Sequence, residues 1–390
     1  MPDGSDSLAV KVVSRIAEVP AAAWDACAGD NPFVSHAFLD ALEESGSASA
    51  ETGWLPQHLV LPSPDGSGLL GCAPLYLKSH SYGEYVFDWN WADAYERAGG
   101  RYYPKLQCSV PFTPATGPRL LVNPAADRAE VEAGLVAAML ELARRHRVSS
   151  LHITFPPREQ YERFGTFGLL QRLGVQYHWQ NHDYADFDAF LASLASRKRK
   201  AIKKERRKVA ESGIRLTPLS GRDIEPRHWD AFFEFYMATA DRKWGQPYLT
   251  RDFFHLLGER LADRTVLMMA DYQGELVAGA LNLKSSDTLY GRNWGSLGRF
   301  RFLHFETCYY QAIDYAIAHG LARVEAGAQG EHKIQRGYLP SPTYSAHWIA
   351  DAGFSRAIED FLARERRAIE REIAALEDYS PFKEETCGEG

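Results

Sequence analysis

Nowhere does the chain string together the ~20 apolar residues that a membrane-spanning helix needs. Its first residues, MPDGSDSLAVKVVSRIAEVP, lack a basic start followed by an apolar run, so no secretory signal is expected. Cysteine is sparse: Cys27, Cys72, Cys108, Cys308 and Cys387 are scattered and odd in number, with no CxxC pair. That speaks against a structural zinc site or a disulfide framework and suits a reducing, cytoplasmic compartment. Also missing are GxSxG, HExxH, GxxxxGK[ST] and a GxGxxG after a strand, so neither a metal nor a nicotinamide cofactor is implied.

The 390 residues are 45% hydrophobic and 24% charged, an ordinary globular balance, and too many for one typical core. Two domains are expected. Charge is unevenly placed. The net charge is −7, yet RKRKAIKKERRK, residues 197–208, carries +8 and leaves −15 for the rest.

One order of elements occurs twice. QHLVLPSPDGSGLLGCAPLYLK reads as two strands around a turn at Asp65-Gly66. PKLQCSVPFT and PRLLV add strands. DRAEVEAGLVAAMLELARRHR has helical spacing at Val131, Leu135, Met139 and Leu142, and SSLHITFP reads as a buried strand. Later, TVLMMADYQGELVAGALNLKSSDTLYGRNWGS reads as three strands. FLHFETCYYQAIDYAIAHG is a helix stopping at Gly320, and ARVEAGA is the next strand. Helical stretches lead into each half: PAAAWDACAG and SHAFLDALEES, then DFDAFLASLASRKRK, RHWDAFFEFYMATADRKW and TRDFFHLLGERLAD. The tail places Ile358, Phe361, Leu362, Ile369, Ile373 and Leu376 on one face of a closing amphipathic helix.

This duplicated unit looks like the GNAT acyltransferase fold in tandem. Longer strings resemble the FemAB-like family of GNAT-related proteins: NPFVSHAFLDALEESGS, PLYLKSHSYGEYVFDWNWADAYERAGGRYYPKLQCSVPFTPATGPRLL, SRKRKAIKKERRKVAESGI, LYGRNWGS, FLHFETCYYQAIDYAI and EAGAQGEHKIQRGYLP. They run from Asn31 to about Trp348. The resemblance implies an α/β (α+β) fold of tandem GNAT-like domains, each a mixed sheet flanked by helices. Expected domains are 1–180 on the acceptor side and 181–350 on the donor side, the latter entered by a basic helix at 193–212, with 351–390 as C-terminal helix and tail. It also implies a link to peptidoglycan biosynthesis, since better-understood relatives transfer an amino acid from aminoacyl-tRNA onto an amine of a cell-wall precursor. Their long charged helical hairpin has no counterpart here.

Three constellations carry the expected chemistry. Lys78, His80, Tyr82 and Glu84 form a loop dense in donors and acceptors, where Lys78 and His80 suit an anionic substrate and Glu84 an amine; a structural loop is the competing reading. Tyr103, Lys105 and Arg119 bracket the next strand and extend that wall. In EAGAQGEHKIQR, acyl transfer to an amine calls for a base, and Glu331 or His332 fits, with Gln329 and Lys333 contacting substrate. In YGRNWGSLG, Tyr290 and Arg292 precede Gly295, Gly298, Arg299 and Arg301, which suit a donor phosphate at a helix start. VNPAADRAEVE, the matching place in the first half, is acidic and would repel one. In the following helix, His304, Glu306 and Tyr309 read as internal hydrogen bonding or as part of the site.

No tightly bound cofactor is expected. The donor is acetyl-CoA or another acyl-CoA, or aminoacyl-tRNA, and the partner is an amine-bearing small molecule or cell-wall precursor. Arg197–Lys208 would meet tRNA phosphates or be a solvated helix face; it has no aromatics for base stacking. A CoA-dependent N-acetyltransferase and a non-catalytic precursor-binding protein are the competing functions.

Overall fold

The structure is a computed structural model that describes residues 9–242, 245–327 and 330–383. The chain divides into two compact units. The first comprises Met1–Gly174, Tyr248–Phe253 and Thr343–Ile369; the second comprises Val175–Pro247, Phe254–Pro342 and Glu370–Gly390. The division expected at residue 180 therefore falls at Gly174, inside a strand. The closing helix is divided between the units rather than standing apart.

The chain begins with β1 (Lys11–Val13), α1 (Ala21–Ala28), α2 (His36–Glu44), β2 (Trp54–Pro56), β3 (His58–Pro62), β4 (Leu69–Ala73) and β5 (Leu75–Lys78). Then come α3 (Trp89–Arg97), β6 (Lys105–Cys108), β7 (Leu121–Val122), α4 (Arg128–His146), β8 (Ser150–Thr154) and α5 (Arg158–Thr166). β9 (Leu170–Gln180) carries the chain into the second unit. There follow α6 (Phe187–Ser193), α7 (Ser196–Glu211), β10 (Ile214–Ser220), α8 (Pro226–Arg242) and α9 (Arg251–Arg260). β11 (Thr265–Tyr272), β12 (Glu275–Lys284) and β13 (Thr288–Ser296) precede α10 (Leu303–Phe305), a π turn (Glu306–Tyr310), α11 (Gln311–Ala318) and β14 (Arg323–Glu325). β15 (Leu339–Ile349) returns to the first unit, and α12 (Ala352–Glu377) closes the chain.

In the first unit, β1-β3-β4-β7 form a small antiparallel sheet. A second sheet pairs β15 with β8, β8 with β6 in parallel, β6 with β5 and β5 with β2. α4 begins where Asp127 accepts from the backbone N–H of Ala129 and Glu130, an N-cap that satisfies orphan donors. Its stripe of Val131, Leu135 and Met139 is buried against Leu59, Leu61, Leu106, Leu151 and Ile153. The helical spacing read from the sequence therefore faces the core.

In the second unit, β10-β11-β12-β13 is an antiparallel meander, and β14 lies between β13 and β9. Trp179, Phe190, Met268, Leu289, Tyr310, Ile313 and Val324 fill its core. The stretch read as one helix, DFDAFLASLASRKRK, is broken into α6 and α7. Leu194 is extended and buried at the break, so the apolar α6 packs inward while α7 turns its charged surface out. Reading by spacing missed β1, β2, α3, α5, β9, β10 and β15.

Two irregularities mark β13. Leu281 is opposite Asn293 and Asn282 opposite Gly291, so Arg292 is one residue extra on β13, a β-bulge. Pairing with β14 covers only Thr288–Tyr290. Beyond Tyr290, β13 runs on to Ser296 while the other chain turns away at Gly327, whose φ of +81° suits glycine.

Candidate functional site

Where β13 and β14 part, the second unit holds a cavity of about 100 Å³. Arg292 and Asn293 of the bulged strand, Trp294, His304, Cys308 and Tyr309 line it. The helix over it is irregular at that place, with its π turn carrying Cys308 and Tyr309. A π turn inserts a residue and re-aims side chains, which is why such turns gather at functional sites. The Tyr309 carbonyl in this turn accepts from the Tyr338 hydroxyl at 3.1 Å, so the distortion is held from the core.

The Tyr309 hydroxyl lies 3.1 Å from His332 Nε2. The segment Glu331–Arg336 is a 3-10 turn, not the strand on which neighbours alternate. Glu331 and His332 face outward, and Lys333 is buried, donating to the carbonyls of Ala326 (2.7 Å) and Gly327 (3.0 Å). Lys333 thus holds the turned-away chain rather than offering itself to a substrate. Its burial lowers its pKa to about 8. Partial burial, then the Arg336 and Lys333 charges, lower that of His332. Gly330 is needed here: a Cβ would lie 2.5 Å from the His332 ring.

The basic helix α7 braces this turn. Its one acid before the closing Glu211, Glu205, accepts from Arg336 Nη2 at 3.0 Å and from the buried Tyr310 hydroxyl. Arg336 in turn donates to the His332 carbonyl at 2.9 Å and lies 3.5 Å over the Phe305 ring. Arg206 binds Glu306 (3.1 Å) and Asp314 (2.6 Å), so Glu306 serves internal bonding. Ile202 and Val209 are the buried residues of α7. Lys203, Arg207 and Lys208 pair with exposed acids, while exposed Arg197, Lys200 and Lys204 have no ion-pair partner among the described residues.

A second polar cluster belongs to the first unit alone. Lys105 is fully buried and donates to Ser81 Oγ (2.7 Å), Glu84 Oε2 (2.7 Å) and Asp88 Oδ2. Asp88 also accepts from Tyr102 (2.7 Å), and His152 Nε2 stands 3.7 Å away. His152 and His347 meet Nδ1 to Nδ1 at 2.7 Å. Burial opposes the Lys105 charge, yet the two carboxylates outweigh it and hold its pKa above the usual range. Burial raises Glu84 to about 7 against the pull of Lys105. For Asp88, Lys105 and His152 overcome burial and keep it ionised. Burial lowers Lys78 to about 7; its Nζ donates to the Tyr82 carbonyl at 3.2 Å and lies 3.6 Å over the Trp54 ring.

The structure thus gathers Lys78, Glu84 and Lys105 in one unit, with Tyr103 at the edge through its 2.8 Å bond to Ser81, and Arg292, His332 and Lys333 in the other. Several expected residues are corrected. Arg119 is buried and spends its guanidinium on the carbonyls of Thr154, Gly117 and Ala115, so it supports the backbone. Lys105 is saturated by side chains rather than open to substrate. Tyr290 is buried. Gly295 lies in β13, where a Cβ would come 2.2 Å from the Phe235 backbone; it lets α8 approach the strand instead of cradling phosphate. Gly298, Arg299 and Arg301 follow the strand, with both arginines exposed and Arg301 over the Phe302 ring. His80 is tied to the Thr52 carbonyl and Tyr82 N–H, and Tyr82 is exposed. Gln329 lies outside the described residues. Asp88, His152, His347 and Cys308 escaped sequence reading; His152 and His347 are 195 residues apart and only topology joins them.

Comparison with known proteins agrees with this architecture. The profile of the FemAB-like family, described as peptidoglycan biosynthesis/recognition, matches residues 15–384. Among solved structures, FemX is similar with a TM-score of 0.54 and 12% identity, covering 90% of this chain and all of that one. L-PGS from Bacillus licheniformis is similar with a TM-score of 0.50 and 9% identity, covering 83% of this chain and 95% of that one. At such identities the likeness speaks to fold. No curated protein sequence matches the chain.

Proposed function

The chain belongs to the FemAB-like family of peptidoglycan biosynthesis/recognition proteins, and from that premise we propose that it is a GNAT-type transferase moving an acyl or aminoacyl group onto an amine. The observation that carries this is the cavity at the parted β13 and β14, with Tyr309 on its wall and His332 behind Tyr309. A neutral amine attacks the donor carbonyl. The new C–N bond forms, the bond to the leaving oxygen or sulfur breaks, and the amine gives up a proton. Tyr309 takes that proton as it passes its own to His332 Nε2, whose lowered pKa keeps the ring ready to accept, and the leaving oxygen or sulfur departs with the electrons of its broken bond and takes its proton from solvent. Beyond Tyr290, β13 has no ladder partner on the β14 side among the described residues, and its backbone N–H groups there suit the developing oxyanion. Arg292 at the bulge suits the donor's anionic part.

Exposed Arg197, Lys200 and Lys204 favour a polyanionic donor, aminoacyl-tRNA, over acyl-CoA. The acceptor is an amine-bearing cell-wall precursor or small molecule. Thermal shift of the purified protein with acetyl-CoA, with charged tRNA and with a UDP-linked muropeptide tests the reading. A shift with charged tRNA, lost in K200E/K204E, supports it; a shift with acetyl-CoA alone moves the assignment to a CoA-dependent acetyltransferase. No shift with any donor, and no turnover, sinks the transferase.

A further inference from the structure

RKRKAIKKERRK holds nine bases and a single acid, Glu205. The proposed chemistry gives that acid no part, and its place on α7 separates it from the bases. Ile202 lies three residues before it and Val209 four after, and both are buried, so Glu205 shares the inward face of the helix. Among the described residues its ion pair is not with a base of α7 but with Arg336, whose Nη2 donates to both carboxylate oxygens at 3.0 Å. The Arg336 and Glu205 side chains are 9% and 17% exposed. A guanidinium keeps its charge, so sinking one this deep calls for a fixed counter-charge.

Both halves of the proton relay hang on this pair. Arg336 Nη1 donates to the His332 carbonyl at 2.9 Å, and its guanidinium lies 3.5 Å over the Phe305 ring, which stands 5.7 Å from the His332 ring. On the other side, the Tyr310 hydroxyl donates to Glu205, and Tyr310 directly follows Tyr309 in the π turn. One carboxylate therefore ties the 3-10 turn that carries His332 to the π turn that carries Tyr309. We propose that Glu205 is a positioning residue of the transferase: through Arg336 and Tyr310 it holds the His332 ring against the Tyr309 hydroxyl. This rests on the relay reading, but its test needs no donor and no turnover. The basic helix has two faces with separate work, exposed Arg197, Lys200 and Lys204 for donor affinity and inward Glu205 for the geometry of the proton's path.

The test is an NMR titration of the His332 ring in the full chain. The groups that bear on the ring are Glu331, Lys333 and Arg336 on its own turn, Tyr309 on the π turn, Cys308 beside Lys333, and Glu205 behind Arg336. Arg336→Met removes a repelling charge and should raise the midpoint by about half a pH unit or more. Glu205→Gln keeps the shape without the charge; Arg336 should then leave for solvent, and the midpoint should rise likewise. In Glu205→Gln/Arg336→Met the rise should be no larger than in Arg336→Met alone, since both changes act through one group. The double variant strands no charge, so it reads the coupling even where Glu205→Gln folds poorly. Glu211→Gln, which removes an exposed acid from the same helix, should leave the midpoint unchanged. With a donor in hand, Glu205→Gln should lower kcat at least ~10-fold at constant KM. A midpoint in Glu205→Gln that stays or falls means that Arg336 keeps its place without the acid, and overturns the inference. So does a double variant that rises by the sum of the two. If His332→Ala keeps full turnover while the Glu205→Gln midpoint rises, the relay falls and Glu205 still positions the ring.

Discussion

Each unit contains one parallel pair of strands, β6–β8 and β13–β14, and the two units spend their polar residues differently. In the first, the charges are neutralised among themselves: Lys105 sits among Glu84, Asp88 and Ser81, and β6 and β8 stay paired from Leu106–Leu151 through Cys108–Ile153. In the second, the corresponding pair of strands parts after Tyr290–Glu325, and the polar groups border open space. A bulge, a π turn and a glycine turn mark the second unit's pair. The first unit's cluster should therefore govern stability, and the second's turnover.

The comparison breaks most sharply at Lys105. Lys105→Met strands two buried carboxylates, and such a loss costs about 3–5 kcal/mol. Urea denaturation at pH 8 should show it. At pH 5 the loss should shrink, because Glu84, raised to about 7, is already protonated there and only Asp88 is left as a stranded carboxylate. An equal loss at both pH values would mean that Lys105 acts through packing. His332→Ala is the counterpart in the second unit. Turnover with whichever donor the protein binds should fall ~10²–10⁴-fold with the melting temperature nearly unchanged, since the ring is exposed. Tyr309→Phe should give a similar fall in kcat; a fall in stability alone would remove the relay.

How much of this was legible in the chain depends on the range of each cause. α4 was readable because its apolar stripe is local and capped by Asp127. The meander of the second unit was readable as three strand-like runs in succession between Thr265 and Ser296. The bulge at Arg292 and the π turn at Cys308 were not, because both are set by neighbours across the sheet and core. Gly295 misled for a related reason. A glycine beside an arginine resembles a phosphate loop, yet this one is small because α8 presses on it. Gly295→Ala should cost about 1–3 kcal/mol by overpacking, with donor binding intact wherever the protein folds. Gly298→Ala meets only the Phe300 ring edge at 2.9 Å, which can swing aside. If Gly298→Ala weakens donor binding at unchanged stability, the phosphate reading returns for that residue.

The smallest effect tests whether the first unit's cluster is tuned for stability at all. Lys78 is buried with a pKa near 7 against an ordinary 10.5, so the unfolded chain holds its proton more tightly than the folded one. Between pH 7 and 10.5 the unfolded state binds more protons, so stability should climb with pH there; below about pH 7 the full penalty applies. Lys78→Met removes the buried amine while keeping much of its length. At pH 7 it should stabilise the protein by about 1 kcal/mol, the relief of desolvation exceeding the lost contact over Trp54. At pH 10 the gain should be nearly gone. A residue whose removal stabilises the fold is retained for a reason other than stability. If Lys78→Met instead destabilises the protein equally at both pH values, Lys78 is a packing residue and the first unit's cluster is structural throughout.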